Sequence, residues 1–182
     1  GTNGSDNFGD GIDDTINIEF VSDPDPTLSS QNNMTFTVGA GSTAIPTLTI
    51  NHPSITSKLT DANEIYIRIP SALNCSFDTT VTNPTFGGSA SGKVDTTPPP
   101  TNPVDYPDSK TIRIYLQSNF LTGENLTISG LRMQNFISES SGRLELSFNG
   151  GLTYTVIDNK VYSILDNSPP TITARDSFDL DG

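Results

Sequence analysis

The stretch Arg143-Leu144-Glu145-Leu146-Ser147-Phe148-Asn149-Gly150-Gly151-Leu152-Thr153-Tyr154-Thr155-Val156-Ile157 reads as two strands joined by a tight turn. Apolar and polar residues alternate on both sides of Asn149-Gly150-Gly151, and a period of two puts every second side chain on one face of a strand. Loop length decides whether the two apolar faces agree. A two-residue Asn149-Gly150 turn pairs Phe148 with Gly151 and sets Leu144, Leu146 and Phe148 opposite Leu152, Tyr154 and Val156. A three-residue loop, Asn149-Gly150-Gly151, pairs Phe148 with Leu152 and Leu146 with Tyr154. All six then share a face, with Gly151 as the left-handed residue such loops need. The three-residue loop is the expected hairpin.

Outward from this hairpin the same alternation recurs: Ile16, Ile18 and Phe20; Met34, Phe36 and Val38; Leu48 and Ile50; Ile65, Ile67 and Ile69; Ile112, Ile114 and Leu116; Leu126 and Ile128. Gly, Pro, Asn and Asp separate the sets, and no segment sustains the three-to-four spacing of an amphipathic helix. Many short strands with turn chemistry between them predict an all-β chain built as an antiparallel β-sandwich or barrel. The expected core is Ile16, Ile18, Phe36, Val38, Ile65, Ile67, Ile69, Ile112, Ile114, Leu116, Leu144, Leu146 and Phe148.

Residues Gly87 to Pro107 are rich in Gly, Ser, Thr and Pro, as a linker between two small domains would be. Each half of the chain offers only four or five strands, whereas together they make one well-sized domain, so a long surface loop is expected instead. A boundary is expected near Asp166-Asn167-Ser168-Pro169-Pro170, where two prolines stiffen the path and remove donors. The organisation that follows is an acidic joint at residues 1–14, a β-sandwich module at 15–166, and a Pro-Pro linker leading into the next joint at 167–182.

A formal net charge of -12 over 182 residues disfavours nucleic acid and anionic membranes as partners and favours divalent cations. A single cysteine, Cys75, allows no internal disulfide, and no run approaches the roughly 20 apolar residues that span a bilayer. Low Lys, abundant Ser, Thr, Asn and Gly, and no Trp suit an extracellular protein. The lack of a signal peptide is no argument for the cytoplasm, since export removes it.

Two acidic, glycine-bearing loops bracket the chain: Asp6-Asn7-Phe8-Gly9-Asp10-Gly11-Ile12-Asp13-Asp14 and Asp176-Ser177-Phe178-Asp179-Leu180-Asp181-Gly182. Ca2+ takes several hard oxygen ligands, and Asp at alternate positions followed by Gly lets a short turn aim its carboxylates at one point. The predicted ligands are Asp6, Asp10, Asp13 and Asp14, with Asp176, Asp179 and Asp181 in a second site or in one completed by an adjoining copy. Placed tail before head, the two loops form a plausible joint between successive copies of a repeated polymer.

The pattern Asp6-x-x-Gly9-Asp10-Gly11-Ile12-x-Asp14 resembles the Asp-rich calcium repeats of thrombospondin-type-3 and related bacterial envelope proteins, with Phe8 where a third Asp is usual. Tyr66-Ile67-Arg68-Ile69-Pro70, Gly123-Glu124-Asn125-Leu126-Thr127-Ile128-Ser129-Gly130-Leu131 and Ser168-Pro169-Pro170-Thr171-Ile172 resemble immunoglobulin-like or cohesin-like modules of large bacterial surface-layer and adhesin proteins. The resemblance implies a structural spacer of an extracellular bacterial surface array. Its partners would be neighbouring copies or modules of the same polymer, with calcium rigidifying the joints.

Catalysis finds little support. The only histidine, His52, offers one residue on which to build a triad and is expected in a turn after the Leu48–Ile50 strand. Cys75 reads as a small buried apolar residue. A carboxylate pair drawn from Glu64, Glu124, Glu139 and Glu145 would need them to meet in space, and exposed strand positions are the simpler reading. The chain is therefore expected not to be an enzyme. The alternative is a carbohydrate-binding or protein-docking β-sandwich module of a secreted multidomain protein, with cell-surface glycans as partners. Its aromatic platform would rest on Tyr66, Tyr106, Tyr115 and Tyr162.

Overall fold

The computed structural model describes residues 22–97 and 102–167. Ile16 and Ile18 of the expected core, and both acidic loops, lie outside the described residues. Within them the chain is all-β: β1 (Thr27–Ser30), β2 (Met34–Thr37), β3 (Thr43–Ala44), β4 (Leu48–His52), β5 (Ile65–Arg68), β6 (Ser76–Phe77), β7 (Thr85–Gly87), β8 (Val104–Asp108), β9 (Thr111–Ile114), β10 (Glu124–Ser129), β11 (Arg132–Gln134), β12 (Ser140–Gly142), β13 (Glu145–Ser147), β14 (Val156–Ile157) and β15 (Tyr162–Leu165). A short 3-10 turn covers Ser91–Lys93. The sheets run β1-β4-β10-β7, β3-β11-β6, β12-β15-β2 and β14-β13-β5-β9-β8.

One antiparallel register runs through two sheets, in the pairs β4–β10 and β3–β11. His52 faces Glu124 and Leu48 faces Ile128; in the same register Ala44 faces Arg132 and Thr43 faces Met133. Between these strands Ile45 N–H donates to Leu131 O at 3.0 Å, and beyond them Gly39 N–H donates to Phe136 O at 2.8 Å. The run from Thr43 to His52, at about 3.3 Å per residue, spans roughly 30 Å. Its two ends are the poles of the molecule.

Among the described residues every strand pair is antiparallel except that of β2 with the last strand, β15, which is parallel with Phe36 beside Ile164. This has a geometric consequence. The chain enters at the β1 end, where Thr27 faces Asn51 at the His52 pole. Because β15 runs alongside β2, it finishes at the other pole, where Val38 N–H donates to Leu165 O at 2.9 Å.

Alternation translates directly into burial. β4 and β5 bury every second residue, and Leu48, Ile50, Ile65 and Ile67 are sealed from solvent. One cluster draws on all four sheets, with Leu28, Phe36, Phe77, Val104, Ile112, Leu126, Met133, Leu146 and Ile164 among its members. Phe36 stacks on Phe136 with ring centroids 4.3 Å apart. Most of the expected core is buried here, whereas Val38 and Phe148 are only partly covered at its edge.

Two expectations change. The 143–157 hairpin pairs Leu146 with Val156 and Glu145 with Ile157, so the loop is wider than three residues and Leu152 is exposed. The shift is by two positions, which keeps Leu146 and Val156 on a common face. The wide loop is stable because it bonds to itself. Asn149 Oδ1 accepts from the Ser147 hydroxyl at 2.8 Å and from Thr153 N–H at 3.0 Å, and Ser147 Oγ accepts from Gly151 N–H at 3.2 Å. Gly151 does take a left-handed φ of 77°.

The Gly87–Pro107 segment is not wholly loop. Val104 to Asp108 form an edge strand on β9, a place where Pro107 removes no ladder bond, and Val94 bridges to Leu116. Strands on both sides of the segment share sheets: β4 and β7 with β10, β5 with β9.

Candidate functional site

The seven predicted calcium ligands, Asp6, Asp10, Asp13, Asp14, Asp176, Asp179 and Asp181, all lie outside the described residues. The described residues show how the chain on either side of them is anchored. Among these residues no three His, Cys, Asp or Glu side chains are grouped as a metal site.

At the N-terminal pole the incoming segment is clamped onto the 53–58 loop. Asp23 accepts from Ile55 N–H at 2.5 Å, from Thr56 N–H at 3.2 Å and from the Thr56 hydroxyl. These bonds, the Thr56 hydroxyl foremost, hold the Asp23 carboxyl below the usual carboxylate range. Lys58 Nζ ties the same segment by donating to Asp23 O at 2.7 Å and to Asp25 Oδ1 at 2.8 Å.

His52 completes this pole at the end of β4, buried rather than in an open turn. Its Nε2 accepts from Lys58 N–H at 3.0 Å, and its Nδ1 lies 3.1 Å from Leu121 O, which assigns the proton to Nδ1. Both ring nitrogens are thus committed to the backbone. Glu124 beside it pairs with Lys93 at 2.7 Å and accepts from Leu121 N–H at 2.6 Å. Burial opposes its ionisation, but these partners hold its carboxyl below the usual range.

At the C-terminal pole lies a groove of about 550 Å³ between residues 39–42, Cys75-Ser76 and residues 134–137, with Lys110 on its wall. Asn135 holds a left-handed φ of 58° there, fixed by its amide donating to Ser76 Oγ at 2.9 Å. Cys75 is buried, its Sγ 3.9 Å from Met133 Sδ, and burial pushes the thiol up to about 11. Lys110 Nζ donates to Leu73 O at 2.7 Å. Asp78 accepts from the Ser42 hydroxyl at 2.5 Å and the Thr80 hydroxyl at 2.7 Å, which keep its carboxyl low.

The aromatic side chains named for glycan stacking do not form an open row. Tyr162 is fully buried, its hydroxyl 2.7 Å from Ser30 Oγ in a network closed by buried Asp158. Tyr106 donates to Val81 O at 2.5 Å and packs on Phe77. On the outer face of the five-stranded sheet Arg113 lies over Tyr115 and Gly151 packs on Tyr66. Tyr154, which sequence reasoning assigned to a core face, lies instead under Arg68, whose guanidinium is 3.8 Å from the ring centroid. Arg68 also pairs with Glu145 at 2.6 Å and Arg113 with Asp105 at 2.5 Å, so this face is a self-satisfied polar network.

The four glutamates considered as a carboxylate pair each have their own partner. Glu64 accepts from Leu116 N–H, Glu139 from Asp166 N–H, Glu124 from Lys93, and Glu145 from Arg68. The groove and the polar contacts of the N-terminal pole had no signal in the sequence, because each is assembled from residues far apart along the chain. No protein-family model matches the chain and no curated protein matches it, so its own geometry carries the functional case.

Proposed function

We propose that the chain is a structural spacer module of an extracellular bacterial surface array, built as an antiparallel β-sandwich of immunoglobulin-like or cohesin-like type. The observation that carries this reading is the placement of chain entrance and exit at opposite ends of the register shared by the β4–β10 and β3–β11 pairs. Modules strung head to tail need that arrangement, since each copy must hand the chain on at the far end from where it received it. The clamp on Asp23 and the Leu165–Val38 bond support it by making both ends of the body firm.

Calcium belongs to the joints in this proposal. Asp6, Asp10, Asp13, Asp14, Asp176, Asp179 and Asp181 offer the hard carboxylate oxygens that Ca2+ takes. Without the ion the clustered carboxylates repel one another; with it their charge is neutralised and the joint ordered.

The test is a polypeptide of two tandem copies in solution scattering, with calcium and with chelator. A longer maximum dimension in calcium is expected, with a single copy nearly unchanged. Identical profiles in the two conditions would remove calcium from the joint. The alternative of a carbohydrate-binding or protein-docking module draws on the C-terminal groove, and tight binding of a single copy to a defined glycan would favour it.

A further inference from the structure

A pull on the two ends of the chain converges on the pairing of β2 with β15. From the N-terminal pole β1 runs from Thr27 beside Asn51 to Ser30 beside Leu48, and Gln31 N–H extends that ladder by donating to Thr47 O at 2.9 Å. β2 follows in the same sense. Beside it β15 heads for the C-terminal pole, with Tyr162 next to Met34 and Leu165 next to Thr37. Tension therefore draws β2 back toward the entrance and β15 out at the exit, in opposite senses along one ladder.

Direction decides how a ladder fails. Force along the strands loads every bond across the pair together, whereas force across them opens the bonds one at a time from an end. The evenly spaced bonds of a parallel pair share a sliding load. Met34 N–H donates to Val161 O at 3.0 Å where the pair begins, and Val38 N–H to Leu165 O at 2.9 Å where it ends. Asn33 Oδ1 adds a tie by accepting from Val161 N–H at 2.9 Å.

The pair is also backed by its surroundings. β15 has β12 on its other side, with Ser140 beside Ile164 and Gly142 beside Tyr162. Phe36, Tyr162 and Ile164 are buried, which keeps water from one face of the bonds as they stretch. Buried Asp158 accepts from Ser30 N–H at 2.8 Å and from the Ser30 hydroxyl, and Ser30 Oγ lies 2.7 Å from the Tyr162 hydroxyl. The end of β1 is thus tied directly to the start of β15.

We propose that β2 and β15, with the Ser30–Asp158–Tyr162 ties, form a mechanical clamp that carries tension from one end of the chain to the other. The proposal rests on the serial reading above and adds load-bearing to spacing. Residues 27–37 pass the load straight to β15, so the core of the five-stranded sheet stays intact until the clamp slips.

Single-molecule stretching tests this on the 182-residue chain in a Cys75→Ala background. The chain is held by its two ends or, for comparison, by its C-terminal end and a cysteine introduced by Gly41→Cys. Gly41 lies just past β2 with open space around it, so the second axis peels β15 from β2 starting at the Val38–Leu165 bond. End-to-end unfolding should need severalfold more force than peeling. Val38→Pro, which removes a bond of the clamp, should lower the end-to-end force strongly. Ile67→Ala should weaken the protein in urea yet leave that force nearly unchanged, because contacts still formed when the clamp slips do not set the unfolding rate.

Equal forces along the two axes, or an end-to-end force that falls with Ile67→Ala, would each overturn the clamp. A folded Val38→Pro chain that keeps the wild-type force would do so too, and if that variant does not fold the two axes decide. Calcium stiffening of the tandem polypeptide beside equal forces would leave the spacer reading standing without the clamp. High end-to-end resistance without calcium stiffening would keep the clamp and remove calcium from the joint.

Discussion

Gly151 lies flat against the ring of Tyr66, so that a Cβ built on it would stand 3.1 Å from Tyr66 Cδ1. The glycine also has a φ of 77°, where a side chain is disfavoured for backbone reasons alone. Gly150 shares the backbone requirement, with a φ of 73°, but has open space beyond it. Gly150→Ala should therefore cost about 1 kcal/mol. Gly151→Ala should cost more, roughly 2 kcal/mol, because Tyr66 must also give way. Urea denaturation of the two variants checks the order, and equal losses would mean that the loop does not press on the sheet.

Ile67 is fully buried at the centre of the five-stranded sheet, between Leu146 and Ile112. Ile67→Ala should cost about 2 to 5 kcal/mol through lost transfer energy and the cavity left behind. Ile55→Ala, at an exposed position, should change stability by no more than about 0.5 kcal/mol. A loss near zero at Ile67 would show that the strand register is wrong.

Asp78 and Glu64 should give opposite slopes of stability against pH. Hydrogen bonds from Ser42 and Thr80 lower the folded value of Asp78. Its contribution is thus complete above the ordinary Asp range and fades as pH falls through the lowered value. Desolvation raises the folded value of Glu64, so its ionisation penalty is absent at low pH and complete once pH passes the raised value. Asp78→Asn should be destabilised at neutral pH, with the gap closing in acid. Glu64→Gln, which keeps an oxygen for Leu116 N–H, should gain on wild type as pH rises from the ordinary Glu range to neutrality. Thermal melts across pH would sink the assignment if both variants tracked wild type in parallel.

Cys75 should be silent toward thiol reagents in the native state. Its sulfur is buried against Met133, and burial keeps the thiol protonated at neutral pH. Reaction with a chromogenic disulfide at pH 8 should wait for unfolding and run at the unfolding rate. Prompt modification of folded protein would show that the groove opens down to Cys75.

Much of the inner face was legible because strand geometry is local. Ile65, Ile67 and Ile69 alternate with Tyr66 and Arg68, and any strand through them must put the isoleucines together. The width of the 148–155 loop was less legible, since it turns on which acceptor Ser147 and Thr153 find, and Asn149 supplies one to both. Tyr162 read as a surface ring and is buried because Ser30, distant in sequence and itself held by Asp158, takes its hydroxyl inside.

The residues by themselves determined an all-β chain, most of its buried face and the left-handed glycine of the hairpin, all of which depend on spacings of a few residues. Only the tertiary structure decided that β2 lies parallel to β15, that the chain leaves at the pole opposite its entrance, and that a groove opens between residues 39–42 and 134–137. Those features join strands ninety or more positions apart, as Thr43 to Met133 and Phe36 to Ile164 show. Period two tells each strand which side faces in and leaves its edge partners open, because every backbone edge offers the same N–H and C=O groups.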